Sequence, residues 1–97
     1  MAKYALYVSL KAKPGKESAV EAFLKQGATM SRAETGTVTW YGIKEAEGSY
    51  AVFDTFNDEA GRDAHLNGDI ARTLMTKAEE LFVTPLQIHK IEIIANK

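Results

Sequence analysis

The sequence contains no cysteine. That excludes disulfide staples, thiolate metal sites and thiol nucleophiles. There is no surplus of basic charge either: 12 Lys and Arg stand against 13 Asp and Glu, a net charge of −1. Nothing here would neutralise a phosphate backbone, and no Lys/Arg-rich run would seek a membrane surface. No apolar run approaches the ~20 residues needed to span a bilayer. The N-terminus, Met1-Ala2-Lys3-Tyr4-Ala5, leads straight into an alternating pattern, with no apolar leader and no small-residue cleavage site. These absences predict a cytoplasmic protein without nucleic-acid or membrane partners.

Proline is scarce, with two residues, and both punctuate. Pro14-Gly15 closes a strand whose Tyr4, Leu6, Val8 and Leu10 share one face, with Ala5, Tyr7 and Ser9 on the other. From Glu17 the period lengthens to 3.6: Ala19, Val20, Phe23, Leu24 and Gly27 form one stripe, running on to Met30 or Ser31. Gly36 is expected to stop this helix. Thr37 to Lys44, rich in β-branched and aromatic residues, predicts a second strand, and Tyr50 to Phe56 a third. The polar turn between them contains Gly48 and predicts an antiparallel hairpin. Asn57 is expected to cap a short helix ending near Leu66, and Asn67-Gly68 breaks it. A further helix from about Asp69 carries Ile70, Leu74, Ala78 and Leu81 on one stripe, and Pro85 ends it. A last strand is expected from Leu86 to Ala95.

At 97 residues the chain reads as one domain, 1–97. The order β-α-β-β-α(α)-β predicts an α+β, ferredoxin-like fold, with an antiparallel four-stranded sheet and helices on one face. The opposite face should then be polar. Instead apolar residues fall on both faces of three strands: Val52 and Phe56 against Phe53, Val38 and Trp40 against Tyr41 and Ile43. Such a surface predicts a homodimer, two sheets packed face to face.

Chemistry has few carriers. The histidines are His65 and His89, neither placed in a ligand motif, so no metal is expected. No G-x-S-x-G elbow and no glycine-rich phosphate loop is present, so no serine triad and no nucleotide or flavin cofactor is expected. His65, at the junction of the two C-terminal helices, can serve as acid, base or donor near neutral pH, or simply bond a carboxylate or carbonyl. Trp40 and Tyr41 point to opposite faces of their strand, so one faces the helices and the other a partner sheet. Asp54, a carboxylate within an apolar strand, needs a partner. Arg62, Arg72 or a backbone donor is the expected one, an ion pair before all, with orientation of His65 the functional alternative. Asn67 suits a turn.

The stretch from Tyr50 to Leu66, with its aromatic strand, the acidic helix start Glu59-Ala60 and then Ala64-His65-Leu66, resembles the antibiotic biosynthesis monooxygenase family of dimeric α/β-barrel proteins. The resemblance implies a homodimer sharing a barrel, with a cleft in each subunit. It implies oxygenation of a quinol, phenol or aromatic polyketide by O2, with no cofactor. His65 would be the catalytic polar group, Trp40, Phe53 and Leu66 would wall the cleft, and Asn67 or Tyr41 would donate a hydrogen bond. The family's haem-degrading members use an Asn on the first strand, and this first strand has none. A ligand-binding barrel without catalysis, and a haem-binding oxygenase, are the alternative functions.

Overall fold

The structure is a computed structural model, and it describes residues 2–97. Seven elements follow in order: β1 (Tyr4–Lys11), α1 (Glu17–Ser31), β2 (Thr37–Ala46), β3 (Ser49–Phe56), α2 (Glu59–Leu66), α3 (Asp69–Leu81) and β4 (Gln87–Glu92). The strands form one antiparallel sheet in the order β2-β3-β1-β4. This is the expected ferredoxin-like arrangement, with α2 and α3 as two short helices in the second helical position.

Alternation sets the two faces of the sheet. On the covered face, Leu6, Val8 and Leu10 of β1 lie opposite Asp54, Val52 and Tyr50 of β3. Val20, Phe23 and Leu24 of α1 and Leu74 and Leu81 of α3 complete the core. Trp40 on β2 stands directly opposite Asp54, so it faces the helices. On the other face one aromatic row crosses the four strands in register: His89, Tyr7, Phe53 and Tyr41. Tyr41 is 53% exposed, and Ile43 and Ile91 are exposed beside that row.

Several boundaries differ from expectation for local reasons. The N-cap of α2 is Asp58, not Asn57: Asp58 has extended backbone and accepts from the Gly61 amide at 2.8 Å. α1 ends at Ser31, at the end of its expected stripe and five residues before Gly36, the expected stop. Gly36 has another task. A Cβ there would sit 3.0 Å from the Gly61 Cα, and one on Gly61 would sit 2.8 Å from the Gly36 carbonyl oxygen. The missing side chains let α2 dock directly on the loop after α1. β4 stops at Glu92 because its partner β1 begins at Tyr4; one further bond, Ile93 N–H to the Lys3 carbonyl, closes the ladder. The end of α3 is stitched to the end of β1 by a bridge from Ala12 to Phe82.

No helix among the described residues is long and apolar enough to cross a membrane.

Candidate functional site

β3 places Asp54 in the middle of the covered face, where it is 1% exposed. α2 ends over it, and the last turn of that helix directs His65 down onto the sheet, 7% exposed. His65 Nε2 lies 2.9 Å from Asp54 Oδ2. Asp54 Oδ1 has no hydrogen-bond partner. Hydrogen bonding and charge together hold His65 against Asp54 Oδ2. On the other side of the ring, Nδ1 lies 2.6 Å from Glu34 Oε1. Glu34 sits in the loop between α1 and β2, brought within reach by the Gly36–Gly61 approach. Its Oε1 also accepts from the Thr37 hydroxyl at 2.8 Å. One imidazole is thus held between two carboxylates.

The environment moves both protonation equilibria. Burial pushes the Asp54 carboxyl above its ordinary value; the neighbouring His65 opposes this and the Glu34 charge adds to it. Burial alone would lower the His65 pKa, but the contacts with Asp54 and Glu34 outweigh it and raise the value.

An apolar cavity of about 110 Å³, partly open to the surface, lies between sheet and helices against this pair. Asp54, His65, Trp40 and Leu66 line it, with Val52, Ala71 and others completing the walls. Its rim includes Met75, 63% exposed, and Ile88, 42% exposed. The Trp40 indole Nε1 is buried and, like Asp54 Oδ1, has no hydrogen-bond partner. An unmade bond at a buried polar group costs about 1–3 kcal/mol. The indole rests edge-on against Gly27, where a Cβ would come within 2.9 Å of two ring carbons. Behind His65, on the Glu34 side, a larger open groove of about 510 Å³ runs along Met30, Gly68 and Arg72 to the surface.

The structure therefore brings His65, Trp40 and Leu66 to one cavity. It does not bring Phe53, Tyr41 or Asn67 there. Phe53 and Tyr41 stand opposite each other on the other face of the sheet. Asn67 caps α2, its amide donating to the Asp63 carbonyl at 2.9 Å. The expected arginine partners of Asp54 are engaged elsewhere. Arg62 donates to the Ile91 carbonyl at 3.1 Å and lies over the Tyr4 ring, while Arg72 donates to Asp69 and the Asn67 carbonyl. Sequence reasoning missed Glu34 altogether. Among the described residues no three His, Asp or Glu side chains are arranged to hold a metal ion.

No family model matches the sequence, and no curated protein matches it either. Solved structures do. A protein of unknown function from Nitrosomonas europaea, NE2512, is 47% identical, with a TM-score of 0.96 over 100% of this chain and 94% of that one. Rv0793 from Mycobacterium tuberculosis is 20% identical, with a TM-score of 0.86 over 97% of each chain. A protein described as an antibiotic biosynthesis monooxygenase is 12% identical, with a TM-score of 0.81 over 95% of this chain and 99% of that one. The last two likenesses establish a shared fold. With nearly half of its residues identical over its full length, the chain belongs to the same family as the Nitrosomonas europaea protein, on a fold that it shares with the antibiotic biosynthesis monooxygenase.

Proposed function

We propose that this protein is a cytoplasmic, homodimeric monooxygenase that oxidises a hydroxylated aromatic substrate with O2, without metal, flavin or haem. The observation that carries the reading is Asp54: a buried carboxylate of raised pKa, with Oδ2 against His65 and Oδ1 without a hydrogen-bond partner, on the wall of an apolar cavity. Such a group is suited to general-base work. Both nitrogens of His65 are occupied by carboxylates. His65 therefore positions Asp54, and Asp54 faces the substrate.

The chemistry balances with O2 as sole oxidant. Asp54 takes the proton of a phenolic hydroxyl. The electron-rich phenolate passes an electron to O2, and the two radicals join at the ring carbon next to the oxygen, on the Asp54 side, forming a C–O bond. Asp54 returns its proton to the outer peroxide oxygen. It then takes the proton from the ring carbon as the O–O bond breaks, leaving a carbonyl and a hydroxide. The hydroxide collects that proton and departs as water. The ring becomes a quinone, giving up four electrons, and O2 accepts four. The apolar walls strengthen the electrostatics by excluding water.

The aromatic row His89, Tyr7, Phe53 and Tyr41, with Ile43 and Ile91 beside it, supports the dimer: a second copy related by a two-fold axis would cover it. One observation favours a second reading, a ligand-binding barrel without catalysis. With both ring nitrogens engaged, the cluster is also a satisfied structural ion pair on the His65 side. Those same contacts leave no ring nitrogen for a haem iron, and about 110 Å³ is far too small for a porphyrin.

Oxygen uptake by purified protein of known solution mass, against a panel of phenols and hydroquinones, tests the proposal. Uptake above the spontaneous rate that falls at least 100-fold in Asp54→Asn is expected. No uptake across the panel, or undiminished uptake in that variant, would refute it.

A further inference from the structure

The cavity states what kind of molecule it takes. It holds about 110 Å³. An engineered apolar cavity of about 150 Å³ is known to take one benzene ring. The void here has room for one six-membered ring at most, given some movement of Met75 at the rim, a flexible side chain free of packing on its outer side. Two fused rings do not fit. Its polar complement is equally restrictive. Trp40 Nε1 is a donor without an acceptor, and Asp54 Oδ1 is an acceptor without a donor, Oδ2 lying against His65 Nε2 at 2.9 Å. The two side chains stand directly opposite each other on β2 and β3. One hydroxyl satisfies both, donating its proton to Asp54 and accepting from the indole N–H. A carboxylate ligand does not, because it would bring a second negative charge against Asp54, whose own charge burial already disfavours. No lysine or arginine lines the cavity, and His65, which does, is already paired with Asp54 and Glu34.

We infer that the ligand of this cavity is a single-ring phenol, bound with its hydroxyl between Trp40 Nε1 and Asp54 and its ring toward Leu74 and Ala71. This deepens the oxygenase proposal and rests on the same site, but it concerns binding and not turnover.

Trp40 is the sole tryptophan, so its indole N–H gives one assignable NMR signal. Titrating phenol into 15N-labelled protein under nitrogen should shift that signal downfield in a saturable manner. Benzoate and 1-naphthol should leave it in place. Trp40→Phe should weaken phenol binding about tenfold, and Ala71→Leu, which fills the void, should abolish it; calorimetric melting confirms that each variant is folded. An indole signal unmoved by phenol would overturn the inference, as would naphthol or benzoate binding as tightly as phenol. Phenol binding without oxygen uptake would refute the oxygenase and leave this inference standing. Uptake confined to fused-ring phenols, without phenol binding, would do the reverse.

Discussion

Replacing Gly61 by alanine separates two forces of opposite sign. Gly61 lies in the first turn of α2, and helix propensity alone would make alanine better there by up to about 1 kcal/mol. The structure predicts the contrary. The new Cβ would stand 2.8 Å from the Gly36 carbonyl oxygen and 3.3 Å from Asp58 Oδ1. The first contact is with backbone, which has no rotamer to yield. Either α2 lifts or the loop after α1 retreats. Overpacking of this kind costs about 1–3 kcal/mol. A retreating loop also carries Glu34 away from His65, and a hydrogen bond to a charged group contributes about 1.5–3 kcal/mol. The losses outweigh the propensity gain, and a net destabilisation of about 2 kcal/mol is expected.

For a domain of this size, that loss lowers Tm by about 8–16 °C. Scanning calorimetry reads it. NMR titration of the His65 ring supplies an independent signature: with Glu34 withdrawn, the His65 pKa should fall toward its ordinary value. Gly36→Ala, whose Cβ would meet the Gly61 Cα at 3.0 Å, should reproduce both effects. A Gly61→Ala protein that melts at or above the parent temperature, with His65 titrating unchanged, would refute the claim that this glycine pair seats Glu34.

Ala71→Leu should stabilise the fold while removing ligand binding. Filling all of the roughly 110 Å³ void would return at most about 2.6 kcal/mol at ~24 cal/mol per Å³, and about 1 kcal/mol is expected by calorimetry; a lower Tm with retained binding would contradict the cavity. The pH dependence of stability follows from two raised pKa values. His65, raised, contributes stability that is complete below about pH 6.5 and is lost as pH rises through its folded value. Asp54, raised above 3.8, adds a penalty that grows as pH passes from there through its own folded value. In both cases the folded state holds more protons, so Tm should fall as pH rises above about 6.5 and through the raised His65 value. The double variant Asp54→Asn/His65→Gln should flatten that slope, and an unchanged slope would remove the cluster as its source.

Much of the fold was legible because its signals are local. The period of two in β1 and the 3.6 period of α1 are properties of adjacent residues, and Gly48, with φ of +75°, is where the β2–β3 hairpin turns. The site was legible only in part. Trp40 and Tyr41 alternate by rule, but which of them faces the helices depends on register with Asp54, a fact of pairing across strands. Phe53 shares an apolar strand with Val52, and apolar character on both faces hides which side is covered. Asp54 was visible as a carboxylate in need of a partner. Its partner His65 stood only as the alternative, because arginine is the commoner answer, and here Arg62 is spent on the carbonyls of Ala5 and Ile91. Glu34 left no trace. It lies in a polar loop, 31 residues from His65, and reaches it only because two glycines let backbone touch backbone.

The direction of the cluster follows from the unequal exposure of its ends. The Glu34 side chain is 21% exposed, whereas that of Asp54 is 1%. Water can solvate the charge on Glu34, so an imidazolium between them shares its proton pull unequally. Asp54 carries the greater desolvation penalty and holds a proton more readily than an exposed carboxylate does. A buried charged pair is seldom the most stable filling for a core; apolar residues of equal volume are often as good or better by 1–4 kcal/mol. Here the deepest carboxylate is the one left with an unpartnered oxygen, beside an unpartnered indole and an empty volume. A purely structural ion pair would have closed on itself. This one leaves Asp54 Oδ1 without a partner in a residue that lines the cavity, which is what a proton acceptor for a buried hydroxyl requires.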